Sequence, residues 1–421
     1  MGAGLVVAGL TNYVFLVVAG RALGSEEFAA LSVLWAMVFF VAPGVFLPVE
    51  QEVSRALSGR LARGEGTGPV IRRAALLGGV LLAVLVTVTV ALSVPLVDHL
   101  FDGEVLLLVG FLLALVGYWS GHLVRGTMSG LGRFGPYATY IGSEGGVRAA
   151  ICVVLAVAGA SVAGPYGVAL GVAPIVAVFI ALWGQHGLTS PGPEAPWDEL
   201  TTSLGALLAG SLFAFGLANG PVVAVNLLAT DAESDRAGRF FAGLIFARIP
   251  LFLFQAVQAA LLPKLSGLAA SGRLPEFLAG LRRLLVLVVA IGLAGTAGAL
   301  LLGPWAVRLL FGGEFDLGRR TITLLAAGTG AYIVALSLAQ ALIALGRQGL
   351  QATAWGIGVV GFVAAVALGD DLLLRVELGY LLGSAIAAVV MGSFLVATVG
   401  RGARIHSEDA IEALHDLEIE P

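Results

Sequence analysis

The stretch AALLGGVLLAVLVTVTVALSVPLV, Ala74–Val97, decides the fold class. It carries no charged side chain, and as a helix it is long enough to cross a hydrocarbon core about 30 Å thick. Inside lipid the backbone N–H and C=O groups must be satisfied within the element or around a closed barrel. A barrel strand shows about 10 residues alternating between lipid-facing and lumen-facing types. This run does not alternate, so it reads as a membrane helix.

Working outward, Leu284–Leu302 is a second run of the same kind. Similar runs recur to both ends of the chain, giving about twelve spans at 2–20, 28–49, 74–97, 105–124, 136–160, 163–184, 202–228, 237–262, 284–303, 321–345, 350–368 and 376–398. Composition agrees. Of 421 residues 58% are apolar and only 12% charged, and the mean hydropathy is +0.98, where a soluble domain carries about 25% charge. The first segment lacks the basic start and the cleavage pattern of a signal peptide, so it reads as the first span. One cysteine, Cys152, supports neither a disulfide framework nor a metal site. No CxxC, HExxH or Walker-type pattern is present, no cofactor is implied, and a net charge of −4 without a basic tract gives no nucleic-acid partner.

Basic residues orient the spans. With the N-terminus cytoplasmic, the cytoplasmic loops hold about twice as many as the outer ones, among them Arg55, Arg60, Arg63, Arg72 and Arg73. Both termini are therefore expected inside. Arginine almost wholly replaces lysine in a chain rich in Ala, Gly, Val and Leu. This suggests a GC-rich bacterial genome and hence a multi-pass protein of a bacterial plasma membrane.

The chain also repeats itself with a period of about 210 residues. Gly130-Leu131-Gly132-Arg133-Phe134-Gly135 after span 4 matches Ala344-Leu345-Gly346-Arg347-Gln348-Gly349 after span 10. Leu57-Ser58-Gly59 matches Leu265-Ser266-Gly267, and Phe101-Asp102-Gly103-Glu104 matches Phe311-Gly312-Gly313-Glu314. Gly9-Leu10-Thr11-Asn12 matches Gly216-Leu217-Ala218-Asn219. Six spans per half is an even number, so the halves share one topology and relate about an axis along the membrane normal, as in some transporters. The expected organisation is a six-helix lobe at 1–189, a proline-bearing cytoplasmic linker at 190–200, a second lobe at 201–400 and an acidic cytoplasmic tail at 401–421.

Three segments resemble the polysaccharide-export flippases of the multidrug/oligosaccharidyl-lipid/polysaccharide (MOP) exporter superfamily: Ala19-Gly20-Arg21-Ala22-Leu23-Gly24-Ser25-Glu26-Glu27-Phe28, the Gly130–Gly135 run, and Arg248-Ile249-Pro250-Leu251. The resemblance covers the whole chain in topology. It implies an all-α membrane protein built as a V-shaped pair of six-helix bundles, with a central cavity lined by spans 1, 2, 7 and 8. It also implies that a polyprenyl-diphosphate-linked saccharide moves from inner to outer leaflet by alternating access. Partners would be that lipid-linked saccharide, membrane lipids and polysaccharide-assembly enzymes. Multidrug members usually carry an acidic residue in their core spans; spans 1 and 7 here offer Asn12, Asn219 and Asn226 instead. The competing readings are a cation-coupled small-molecule, drug or lipid exporter of the same superfamily, a membrane polysaccharide polymerase or glycosyltransferase, and a scaffold that transports nothing.

Polar groups inside spans cost roughly 2.5–3.5 kcal/mol at the bilayer centre when ionisable, so each needs a reason. Arg248, midway along span 8, is the first candidate for substrate binding, because its planar fork suits phosphate oxygens. Pro250 would bend the helix beside it. Glu144 and Arg148 are spaced for an intrahelical pair in span 5; they form either a neutralised structural pair or a switchable one. Asn12 and Asn219 occupy equivalent repeat positions and either bond sugar hydroxyls or pin helices. Asn226, Gln255, Gln258 and Gln340 raise the same question. Glu50, Gln51 and Glu52 end span 2 and read as a solvated helix end.

Overall fold

The computed structural model describes residues 2–230, 233–251, 254, 268, 273–368 and 370–417, without the side chains of 2–6, 8, 234 and 401–417. Thirteen helices are defined among the described residues. They are α1 (Gly2–Ala62), α2 (Gly68–Ala91), α3 (Ser93–Leu100), α4 (Val105–Gly130), α5 (Phe134–Val157), α6 (Ala163–Leu182) and α7 (Asp198–Thr201). There follow α8 (Leu204–Leu228), α9 (Ser234–Ala247), α10 (Leu274–Phe311), α11 (Arg319–Ala344), α12 (Gln348–Leu368) and α13 (Leu372–Leu417). Ten are long and apolar enough to cross a membrane.

α1 is two spans joined by a turn. Gly24 sits at φ 75, ψ 177, a conformation closed to other residues. Along an unbroken helix Phe15 and Trp35 would lie about 30 Å apart, yet their rings stack with centroids 5.6 Å apart. The chain therefore reverses at Gly24. Glu27, just after this turn, accepts the Ala163 N–H on its Oε2 at 2.9 Å and so caps α6. The second half of the expected span 8, with Gln255, Gln258 and the Leu265-Ser266-Gly267 repeat, lies outside the described residues.

The two arms of α1 pack with α2, α4, α5 and α6 into one lobe, and α8 to α13 pack into the other. Equivalent turns have equivalent backbones. After α4, Gly132 has φ 71 and Arg133 N–H donates to Met128 O at 2.8 Å. After α11, Gly346 has φ 72 and Arg347 N–H donates to Leu342 O at 2.8 Å. The repeat read in the sequence is thus a repeat of helix-ending turns in which the left-handed position demands glycine. At the other end of the described chain, α13 runs unbroken from Leu372 to Leu417.

One end of the molecule is sealed by contacts between lobes. Arg21 donates to Leu310 O at 2.6 Å and Leu309 O at 2.5 Å. Phe28 packs against Phe241, Phe311 and Phe315 with ring centroids 5.4–6.0 Å apart. Gly238 lies so close to the other lobe that a Cβ there would sit 1.9 Å from Ser25 O. Gly238→Val is therefore expected to force this end apart. Overpacking of this kind costs about 1–3 kcal/mol, enough to shift the open population about tenfold. With Cys152 changed to Ser, a cysteine at the buried Ala29 should react about tenfold faster with a thiol reagent once Gly238→Val is added. An unchanged rate would mean that this seam does not hold the end closed.

Candidate functional site

Between the lobes lies a cavity of about 390 Å³. Its walls come from both arms of α1 (Asn12, Trp35, Phe39, Gln51), from α8 (Ser211, Phe215, Asn219), from Arg248 and Leu251, from α11 (Tyr332, Gln340) and from α12 (Gln351, Trp355). Spans 10 and 11 therefore join the four spans the sequence implied. The cavity reaches the surface at the exposed Gln51, the end opposite the Gly24 seam.

Arg248 is placed by its own neighbourhood. Pro250 has no N–H to continue the ladder, so α9 ends at Ala247 and Arg248 caps it at φ −88, ψ 0. The guanidinium then points back at α8, donating to Ala218 O and, at 3.5 Å, to Asn219 Oδ1. Its Nε has no hydrogen-bond partner. Among the described residues it is the only charged side chain on the cavity wall, which carries no carboxylate.

The two repeat-related asparagines both line the cavity and both accept a hydrogen bond from an arginine. Asn219 takes Arg248 from the adjacent span. Its Nδ2 also donates to Phe39 O at 3.2 Å, across the lobe boundary, and to Phe215 O at 3.0 Å. Asn12 takes Arg148. These bonds pin helices together. Asn226 bonds Val222 O in its own helix at 2.8 Å and does not line the cavity. Gln340 does line it.

Arg148 and Glu144 form the expected pair, at 2.7 Å and almost fully buried inside the first lobe. Tyr118 Oη donates to the same Glu144 oxygen at 2.9 Å. The Arg148 guanidinium faces Phe15, Trp35 and Phe39 at 5.5–6.0 Å. Neither residue lines the cavity, although Arg148 reaches it through Asn12.

One expectation is overturned. Glu50 and Glu52 are not solvated; they are 6% and 4% exposed. Glu50 pairs with His122 Nδ1 at 2.7 Å and Arg125 at 3.2 Å and accepts from Tyr137 at 3.3 Å. The reason is that α1 runs on to Ala62, so the ends of α4 and α5 converge on its flank and not on its tip. Gln51 points the other way and is exposed. The signal was available in the polar residues His122 and Arg125, which sit at the end of span 4 as Glu50 does at the end of span 2.

Gln351 was missed. It is 5% exposed, it lines the cavity, and its Oε1 has no partner. Trp355, one turn later on the same wall, is fully buried. An orphaned buried acceptor costs about 1–3 kcal/mol, and a ligand donor removes that cost. Gln351→Leu, which keeps the volume, should therefore raise the melting temperature while weakening substrate binding about tenfold. Thermal unfolding and the transport KM measure the two effects, and an unchanged KM would take Gln351 out of the site. No group of three or more His, Cys, Asp or Glu among the described residues is arranged to hold a metal.

The two-lobed helical bundle encloses this central cavity. No family model matches the sequence, and no curated protein is significantly similar to it. Solved structures are similar in fold. An inward-facing multidrug resistance MATE family transporter of the MOP superfamily superposes with a TM-score of 0.72 at 16% identity, over 94% of this chain and 95% of that one. An outward-facing structure of the same class gives 0.66, also at 16% identity, over 95% and 94%. A mutant of the Vibrio cholerae MATE transporter VcmN gives 0.69 at 15% identity, over 94% and 96%. The chain is thus a multi-pass helical membrane protein whose fold is similar to that of these MATE family transporters.

Proposed function

We propose that the protein is an alternating-access exporter of drug-sized amphipathic molecules whose head groups are anionic or uncharged. The observation that carries this is the cavity wall: one guanidinium, several amides and aromatic rings, and no carboxylate among the described residues. A cationic drug buried there would meet Arg248 and no counter-charge, which is costly at low dielectric. The volume of about 390 Å³ falls in the range of roughly 300–1,000 Å³ typical of small-molecule sites. The neighbours, multidrug resistance transporters in inward- and outward-facing conformations, support export by rocking of the lobes. On the orientation given by the basic residues, the Gly24 seam is the outer gate, and the closed seam with an exposed Gln51 is an inward-facing state.

A lipid-linked saccharide flippase is the second reading. What favours it is the Arg248 fork, which matches diphosphate oxygens, together with amide groups able to bond hydroxyls. Its polyprenyl chain would stay in lipid between the lobes while only the head group entered the cavity. The bacterial plasma membrane, with both termini cytoplasmic, is the location that fits either reading.

Proteoliposomes test both. Three substrates are offered: an anionic amphipathic dye, a cationic one, and a polyprenyl-diphosphate saccharide. The potential assists outward movement of an anion by about 2.3 kcal/mol per charge per 100 mV. An inside-negative potential should accelerate export of the anionic dye without a pH or sodium gradient. Movement of the saccharide lipid alone would select the flippase. Export of the cationic dye alone, driven by a proton or sodium gradient, would refute both readings.

A further inference from the structure

A second and larger cavity, of about 930 Å³, lies outside the transport site, between the start of α2 and the linker. One wall is Arg72, Arg73 and Leu76; the other is linker backbone from Thr189 to Gly192, with Glu194 and Trp197. The linker is no loose tether. Arg60, 2% exposed, bonds Glu199 at 3.0 Å, Pro193 O at 2.8 Å and Glu194 O at 3.2 Å. Gly68 N–H donates to Ser190 O at 2.9 Å. The cavity therefore has two fixed walls.

Its charge is unbalanced. Arg72 is exposed and forms no ion pair among the described residues. Arg73 lies over the Trp197 ring at 5.1 Å, and its only acid among the described residues, Glu194, is 3.9 Å away and 97% exposed, too wet to neutralise it. Below Leu76 the exposed side chains Val80, Val84 and Val88 continue at helical spacing down α2. A cationic, tryptophan-edged hollow thus opens directly onto a lipid-facing apolar stripe. Tryptophan is enriched at the membrane–water interface, and basic pockets between spans hold anionic head groups.

We propose that this hollow binds an anionic phospholipid of the adjacent leaflet. The phosphate sits between Arg72 and Arg73, and one acyl chain runs along Leu76, Val80 and Val84. Because the linker forms one wall and joins the two lobes, the bound lipid braces the linker against the first lobe. A soluble anion would leave the stripe unused, and a peptide would have to enter hydrocarbon.

The test uses the full chain in nanodiscs of equal phosphatidylglycerol and phosphatidylcholine. Lipid retained on the protein is counted by native mass spectrometry. The anionic-to-zwitterionic ratio should fall about tenfold or more in Arg72→Gln/Arg73→Gln. Arg282 and Arg283, an exposed pair in the third turn of α10, supply the control: Arg282→Gln/Arg283→Gln should change the ratio less than about twofold. Equal falls in both variants, or none in the first, would overturn the proposal. In the wild-type chain, phosphatidylglycerol with a photoreactive acyl chain should crosslink Leu76 and Val80, and the matching phosphatidylcholine should do so about tenfold less. Equal crosslinking, or full protection by soluble glycerol phosphate, would also overturn it.

Discussion

Arg248→Ala is expected to lower kcat/KM for an anionic substrate by about tenfold to a hundredfold while leaving the protein folded. A charge-assisted hydrogen bond is worth about 1.5–3 kcal/mol, and each 1.4 kcal/mol is a factor of ten. The fold should survive because what Arg248 gives the protein is modest: a bond to Ala218 O and a long contact of 3.5 Å to Asn219 Oδ1. Asn219 keeps its bonds to Phe39 O and Phe215 O, so the lobe contact remains. Arg248→Lys should recover only part, since an ammonium keeps the charge and loses the fork. Arg248→Glu is the sharper variant. It places a carboxylate on a wall that has none among the described residues, and should turn the preference toward the cationic dye. Initial rates for both dyes in proteoliposomes give the ratio. Wild-type rates in the alanine variant, with an unaltered dye preference in the glutamate variant, would show that the cavity charge does not select substrate.

How much of this was legible in the sequence depended on range. Spans follow from runs such as Ala74–Val97 because lipid penalises every unpaired backbone group, and that rule needs no tertiary context. The paired turns at Gly132 and Gly346 were visible as a sequence repeat because a left-handed backbone restricts the residue type at one position. The spacing of Glu144 and Arg148 gave their pairing, since neighbours four apart meet on any helix. What the sequence hid was which face of each helix met which neighbour. Glu50 looked like a solvated end until α4 and α5 were seen to close on it with His122, Arg125 and Tyr137. Gln351 stood at the edge of an apolar span, with nothing in its local sequence to single it out. Its burial, and its place beside Trp355 on the cavity wall, come from α8 packing against α12 and could not be read from spacing along one chain segment. The likeness to flippases directed attention to Arg248 and the central cavity. The volume of that cavity, together with the neighbours, moves the preferred substrate toward a smaller molecule.

The largest stability effect is expected at Arg148. Removing one member of a buried ion pair costs about 3–5 kcal/mol, because the remaining charge stays buried without its partner. In Arg148→Met, Glu144 would keep only the Tyr118 hydroxyl at 2.9 Å, and Asn12 and the faces of Phe15, Trp35 and Phe39 would lose the cation they surround. Glu144→Gln leaves the opposite fault, a guanidinium 1% exposed with no counter-charge. The double variant Glu144→Gln/Arg148→Met removes both charges at once and should regain most of the lost stability, since such pairs can be replaced by apolar groups of similar volume at little cost. Thermal unfolding of the four proteins in one detergent completes the cycle and isolates the coupling between the two residues. The double variant also separates structure from energy coupling. If the pair only holds α5 against the first arm of α1, the double variant should be stable and should still export under a membrane potential alone. A double variant as unstable as either single one would defeat the structural reading. One that is stable yet no longer responds to an imposed proton or sodium gradient, when the wild type does, would assign the coupling ion to Glu144.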